Sequence, residues 1–464
     1  PAAGQWTAYI YSRNSSAGGT TGPVLFAAQV AKYGPFGHVR PSTLTLAPGQ
    51  TAPITLDVST PSSPGDQAGS IVLSSNTGGT GTIPVTLRSL IPHGHQSFSG
   101  TLTGGNGRAF FIGQTFYYQL DLPAGQPELN ASVKLADNPN NPFQAWLVSP
   151  TGEALAFSSN DLPSSSAPGY IPELGTQLHV LSPAQGAWTL IVTFAPTVSG
   201  TAISEPFTVS TNQDYTRVAR NGLPDSSKVR LTRGQKYTYE VWVRNAGPDP
   251  EAYFLDARQN VSTTLNLAEF NGKPDTTMPL TVNSNLPIYL VPTHTTSFTG
   301  QATVTGGGSQ PILFDEGAPT GDPDIASTAG LTATASHSSN PISQGIWDIA
   351  PEMVGPFGTT GGPAETVHTS MSATTQAFDS QMSSPTGDLW FASTDPSTLN
   401  SFNPQFVSPG HWAKIPVTIT PNAPAGSTVH GTLYIDDGHF VIWQFVGTLN
   451  GNDVAAIPYQ YKVQ

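Results

Sequence analysis

Serine, histidine and aspartate occur in this chain in three short fragments whose residue types could support acyl transfer. Thr369-Ser370-Met371-Ser372 supplies hydroxyls, His93-Gly94-His95 supplies imidazoles, and Asp436-Asp437-Gly438 supplies carboxylates. Such chemistry needs the hydroxyl hydrogen-bonded to an imidazole that a carboxylate orients. A second chemistry is hard-cation binding. Asp137-Asn138-Pro139-Asn140-Asn141 offers several oxygens in a tight loop, and Asp322-Pro323-Asp324 offers two carboxylates. Calcium takes about six to eight oxygens, often including backbone carbonyls. Neither loop has the Asp-x-Asp-x-Asp-Gly pattern, and Asn, Asp and Pro are ordinary turn formers. No cofactor is therefore assigned, and calcium is the one cation these loops suggest.

The ten histidines are scattered without a paired ligand spacing, which argues against zinc. Trp412 in Gly410-His411-Trp412 and Trp443 in Ile442-Trp443-Gln444-Phe445 are the candidates for exposed aromatic platforms that would take a polysaccharide. Tryptophan in a sandwich strand more often packs in a core. Three sequons begin at Asn14, Asn130 and Asn260.

The elements that must position these residues are strands. Gly (47) and Pro (43) break helices and punctuate turns, yet 37% of the chain is hydrophobic, arriving in short β-branched and aromatic runs. That is the profile of an all-β protein of antiparallel sandwiches. At 464 residues it implies roughly three or four domains. Only 10% of residues are charged, and the net charge is −13 with 17 Lys and Arg in no cluster. Nucleic acid and anionic membrane surfaces are excluded as partners on that ground. No apolar run approaches the roughly 20 residues of a membrane span. The absence of cysteine fits export from a prokaryote without reliance on disulfides, so the expected location is extracellular or at the cell surface.

Internal repeats divide the chain further. Pro48-Gly49-Gln50 leads into a strand with Ile54, Leu56 and Val58 on one face. Pro409-Gly410-His411 leads likewise into Ile415, Val417 and Ile419, and Arg233-Gly234-Gln235 into Tyr237, Tyr239, Val241 and Val243. Each unit reads as immunoglobulin-like or fibronectin-like. The opening phrase Pro1-Ala2-Ala3-Gly4-Gln5-Trp6-Thr7 recurs as Pro183-Ala184-Gln185-Gly186-Ala187-Trp188-Thr189, late in the 93–214 stretch. The expected order is the last strands of a truncated jelly roll (1–34), an immunoglobulin/fibronectin-like unit (35–92), a jelly roll (93–214), and two immunoglobulin/fibronectin-like sandwiches (215–320 and 321–464). Trp6 to Ser12 is expected to pair with missing upstream polypeptide, or with a neighbouring copy of the chain, because an open edge is a template for another strand.

Phe116-Tyr117-Tyr118-Gln119-Leu120, Leu147-Val148-Ser149-Pro150-Thr151-Gly152 and Gly186-Ala187-Trp188-Thr189-Leu190 give the 93–200 segment its resemblance to the bacterial pre-peptidase C-terminal jelly roll. The run from Gly247 to Arg258, Tyr289-Leu290-Val291-Pro292-Thr293 and Gly387-Asp388-Leu389-Trp390-Phe391 extend it. With them nearly the whole chain resembles the C-terminal accessory region of large secreted subtilisin-like serine proteases of actinobacteria and related soil bacteria. In that family the catalytic domain lies upstream, and its triad runs Asp, His, Ser. Here the order would be His, Ser, Asp; His368 stands where the serine motif has glycine; and Met371 to Gln381 is polar and reads as strand plus turn. The resemblance implies a non-catalytic region, not an enzyme, that stabilises or targets a catalytic domain. A self-assembling filament or surface-layer subunit and a polysaccharide- or substrate-binding module are the alternatives.

Overall fold

The computed structural model describes residues 5, 7, 37–60, 63–103, 115–164, 169–195, 204–211, 214–278, 286–306, 312–317, 330–353, 364–443 and 446–464. Residues 1–34 and 35–464 are two separate units. The strand expected from Trp6 to Ser12, the sequon at Asn14, the Asp322-Pro323-Asp324 loop and the boundary near 320 lie outside the described residues. Within 35–464 the described chain is nearly all strand, with two short 3-10 helices, Leu389–Ser393 and Pro396–Ser401.

The jelly roll packs a six-stranded sheet on a four-stranded one. The smaller sheet runs Gly175–Leu181, Glu128–Leu135, Ser204–Thr211, Gln96–Thr103. Side chains of Ser204–Thr211 alternate between exposed and buried, as one inward face requires. Trp188, Phe194, Phe143 and Phe207 fill the space between the sheets. The larger sheet begins with the hairpin Gly65–Ser74 and Thr80–Ile91, then continues through Phe116–Leu122, Gly186–Phe194, Phe143–Val148 and Ala154–Ser159. Leu90 and Ile91 run parallel to Gln119 and Leu120, and Ile91 is buried in the jelly-roll core. The expected boundary at 92 is therefore crossed by a continuous sheet. Of the hairpin's described apolar residues only Ile91 is buried, and the hairpin extends its neighbour's sheet.

The C-terminal half corrects the expected succession of a 215–320 and a 321–464 sandwich. Tyr237–Asn245 pairs antiparallel with Trp412–Ile419, from Tyr237 opposite Ile419 to Arg244 opposite Trp412. Two copies of the repeat are thus neighbours in one sheet. Their lead-in glycines Gly234 and Gly410, with Gly49 of the first copy, hold φ near 80° (77°, 79° and 81°), a left-handed turn that favours glycine. One core joins Val241, Val243 and Leu255 to Ile415, Val417, Leu433, Ile435 and Tyr459. A second body is nested inside this sandwich, with its own core of Leu267, Tyr289, Phe298, Trp347, Val367 and Met371. The 17-residue strand Glu251–Leu267 connects the two. Its first half pairs with Thr428–Trp443 and its second with Glu365–Phe378. Chain order departs from spatial order because this strand leaves one sandwich and Glu365–Phe378 returns.

Candidate functional site

The three triad-like fragments occupy different elements. His93 and His95 are exposed around the turn between Thr80–Ile91 and Gln96–Thr103. Ser370 is exposed on Glu365–Phe378, opposite Gln301, while Thr369 is buried and bonded to Tyr289. Asp436 and Asp437 are buried; Asp436 accepts from the Trp390 indole at 2.7 Å and Asp437 from Asn452. A fourth set, unnoticed in sequence, is Glu153, His337 and Ser343. There Glu153 accepts from Ser343 Oγ at 2.8 Å and meets His337 Nε2 at 2.5 Å. The carboxylate sits between the other two, so the imidazole is not placed to take the serine proton.

In the 137–141 loop, Asn138 Oδ1 accepts from the Asn140 backbone, and the Pro139 and Asn141 carbonyls accept from Asn160. Three of its oxygens are thus engaged within the loop or by Asn160. Trp412 is 48% exposed, and Trp242, on the paired strand, is 38% exposed; the Trp443 side chain lies outside the described residues. Trp146, Trp188, Trp347 and Trp390 are buried.

The most unusual chemistry lies where the jelly roll meets the C-terminal sandwich. The jelly roll brings the edge strands Ala154–Ser159 and Gly175–Leu181. The sandwich covers them with polar side chains that complete their hydrogen bonding: Asn452 Oδ1 accepts from Phe157 N at 2.9 Å, and Asn450 Nδ2 donates to Phe157 O at 2.9 Å. Lys134 Nζ meets Asp249 Oδ1 at 2.9 Å, and Gln177 Nε2 donates to both Asp249 O and Glu251 Oε1. Trp146 stacks on Phe157 beside Val441. Such coverage satisfies edges that would otherwise stay open.

At the centre of this junction are four buried ionisable side chains, His179, Glu251, Asp437 and His439. His439 Nε2 is 3.2 Å from Asp437 Oδ2 and 3.7 Å from Glu251 Oε2; His179 Nε2 is 3.7 Å from Asp437 Oδ2. None of these four atoms has a hydrogen-bond partner among the described residues. Each side chain's other polar atom is held. Asn130 Oδ1, opposite His179 in the sheet, is 3.0 Å from His179 Nδ1. Thr176 Oγ1 is 3.5 Å from His439 Nδ1, Gln177 holds Glu251 Oε1, and Asn452 holds Asp437 Oδ1 through both its backbone and side-chain nitrogens. Burial pushes His179 down to about 4, with Asp437 opposing and His439 adding to the fall. Burial, then Asp437 and Asp249, push Glu251 well above the usual carboxylate range.

The four residues come from three strands, so no run of sequence gathers them. Asp437 and His439 do stand two apart on one strand and therefore share a face. That Asp-x-His spacing was the one local signal that could have found the site.

A further buried acid nearby makes a pH prediction. Asp161 is buried, its Oδ1 has no partner among the described residues, and burial raises its carboxyl to about 7 from 3.8. The folded chain thus keeps a proton that the unfolded chain releases, and stability falls as pH rises between those two values. Asp161→Asn is expected to remove that slope. Compared with wild type, it should gain roughly 3–4 kcal/mol between about pH 4 and about pH 8, read from urea midpoints; a parallel pH dependence would refute it.

No family model and no curated protein matches the chain. Among solved structures it is similar to tripeptidyl peptidase 2, at 10% identity and a TM-score of 0.25, over 87% of this chain and 33% of that one. It is similar to PNGase F, a glycosylasparaginase from Flavobacterium meningosepticum, at 11% identity and a TM-score of 0.18, over 61% of this chain and 96% of that one. It is also similar to the tandem CBM22 domains of Paenibacillus barcinonensis Xyn10C, at 10% identity and a TM-score of 0.13, over 61% and 92%. The chain spans about a third of tripeptidyl peptidase 2. At these scores none of the three bears on what this chain binds or does.

Proposed function

We propose that this chain is a non-catalytic, extracellular β-sandwich region of a secreted subtilisin-like protease, acting as a rigid brace that stabilises or positions the catalytic domain. The observation that carries the bracing role is the junction: jelly roll and C-terminal sandwich are joined by buried side-chain hydrogen bonds and an ion pair, among them Gln177 to Glu251 and Lys134 to Asp249. A polar contact of this kind is directional and resists sliding. The family resemblance supplies the protease context. Deleting this region from the full-length precursor is expected to lower secreted protease activity or its thermal half-life. Unchanged activity and half-life would overturn the reading.

Self-assembly is the second reading, and one observation favours it. Among the described residues Gly65–Ser74 is an end strand of the six-stranded sheet, and its hairpin exposes Val72 (61%), Leu73 (45%) and Ile83 (43%). Apolar edge strands left open recruit other chains. On this reading wild-type protein sediments as oligomers or polymers and Val72→Lys as monomer; monomeric wild type would end it.

A further inference from the structure

We propose that His179, Glu251, Asp437 and His439 form a closed binding site for a divalent transition metal, Zn2+ in the first instance, which staples the jelly roll to the C-terminal sandwich. The proposal stands apart from the protease reading and needs only this chain.

The first argument is convergence. Glu251, Asp437 and His439 each present a ligand atom within 4.8 Å of the others, and His179 Nε2 stands 3.7 Å from Asp437 Oδ2. Zinc with bonds of about 2.0–2.1 Å in a tetrahedron sets its donors about 3.3 Å apart. The separations of 3.2, 3.7 and 3.7 Å are near that spacing and too long, in two cases, for a direct hydrogen bond.

The second argument is the lone pairs. Asn130 Oδ1 can accept from His179 Nδ1, which assigns the proton to Nδ1 and leaves Nε2 with a lone pair directed at a carboxylate oxygen. Two acceptors facing each other in a buried space repel unless a cation stands between them. Two carboxylates and two imidazoles buried with four unpartnered atoms are costly in isolation. One divalent cation would satisfy all four.

The third argument is the outer layer. Metal-binding imidazoles and carboxylates usually have their remaining atoms hydrogen-bonded, which fixes ring orientation and tautomer. Here Asn130, Thr176, Gln177 and Asn452 stand at those remaining atoms, one to each ligand. A donor set of two nitrogens and two carboxylate oxygens suits zinc and not calcium, which takes more oxygens. His179 also lines a cavity of about 180 Å³ with Leu155, His294, Gln344 and Asp453. Because one ligand belongs to the jelly roll and three to the sandwich, the ion would hold two bodies together and perform no hydrolysis.

The test uses the full chain, stripped with chelator and returned to Zn2+ or Co2+. Native mass spectrometry is expected to show one Zn2+ per chain. Co2+ should give the intense visible absorption of a four-coordinate nitrogen–oxygen site, and Zn2+ should raise the unfolding temperature. His439→Gln and His179→Asn should each abolish stoichiometric binding, whereas His430→Gln, at an exposed position, should not. Asn130→Ala should weaken affinity by about 10–100-fold while the fold is retained. If His439→Gln fails to fold, wild-type stoichiometry and the Asn130→Ala shift decide the matter. Metal-free wild type after Zn2+ addition, or unchanged binding in folded His179→Asn, overturns the proposal.

Discussion

Arg258→Met is expected to destabilise the protein by about 3–5 kcal/mol, among the largest losses that any single substitution should produce here. Arg258 is fully buried, with Nε bonded to Asp256 Oδ1 at 2.6 Å, Nη1 to the Gln376 carbonyl at 2.9 Å, and its guanidinium 3.8 Å above the Phe378 ring. Burial works against its charge, but Asp256, with Asp388 and Asp436 behind it, opposes that, and Arg258 is held above its ordinary value. The same cation also faces the carboxylates of Asp388 and Asp436. Burial and then Asp256 push Asp388 up, and Arg258 opposes both; burial, Asp453 and Asp256 likewise push Asp436 up. Methionine fills much of the volume but leaves Asp256 with no counter-charge, so the cost is that of a buried orphan ion. Adding Asp256→Asn to Arg258→Met should recover part of the loss, because a neutral amide is cheaper to bury alone. The check is chemical denaturation of both variants. A loss below about 1 kcal/mol in Arg258→Met would show that water or protonation relieves the site.

The residues of that cluster show what the sequence could and could not convey. Strand periodicity around Ile415, Val417 and Ile419, or Tyr237 to Val243, needs only local alternation, and those strands form with alternate residues inward. The turn glycines Gly49, Gly234 and Gly410 were legible because a positive φ favours glycine wherever the turn recurs. Nesting was not legible. It depends on Glu251–Leu267 being long enough to serve two sheets, and nothing in its alternation marks where one partner ends and the next begins. The histidine site was hidden for a related reason. His179 and Glu251 are brought together by docking of two bodies, and a search for paired histidine spacing along the chain passes over a ligand set of which only Asp437 and His439 are near in sequence. The fragment Asp436-Asp437-Gly438 was noticed, but for a hydrolytic role. The structure instead divides it, giving Asp436 to Trp390 and Asp437 to Asn452 and the histidines.

Docking of the two bodies also depends on glycines whose role no periodicity announces. Gly247→Ala is expected to pry the jelly roll from the sandwich while leaving both cores formed. A Cβ at 247 would lie 1.7 Å from Gln177 Oε1, and one at 175 would lie 2.5 Å from Asp249 Oδ2. The two close approaches are reciprocal, each body placing a bare backbone against the other's side chain. Gln177 cannot swing aside cheaply. It is buried, and its Nε2 donates to both Asp249 O and Glu251 Oε1; Asp249 O keeps Asn245 Nδ2 at 2.6 Å, so moving Gln177 takes the partner from Glu251 Oε1. Overpacking of this kind costs about 1–3 kcal/mol, and here the strain is relieved most readily by separation at the junction. Strand content by circular dichroism should stay close to wild type, since the jelly-roll and sandwich cores are distinct. Limited proteolysis around the junction should accelerate by about tenfold or more, 1.4 kcal/mol corresponding to one factor of ten in the open population. Gly81→Ala is the control, because no atom of the described residues lies within 4 Å of its would-be Cβ. Equal proteolysis of Gly247→Ala and Gly81→Ala would mean that the junction tolerates the extra methyl and that the bracing contact is softer than its hydrogen bonds imply. Accelerated cleavage confined to Gly247→Ala would locate the rigidity of the chain in the few residues around Gln177, Asp249 and Glu251.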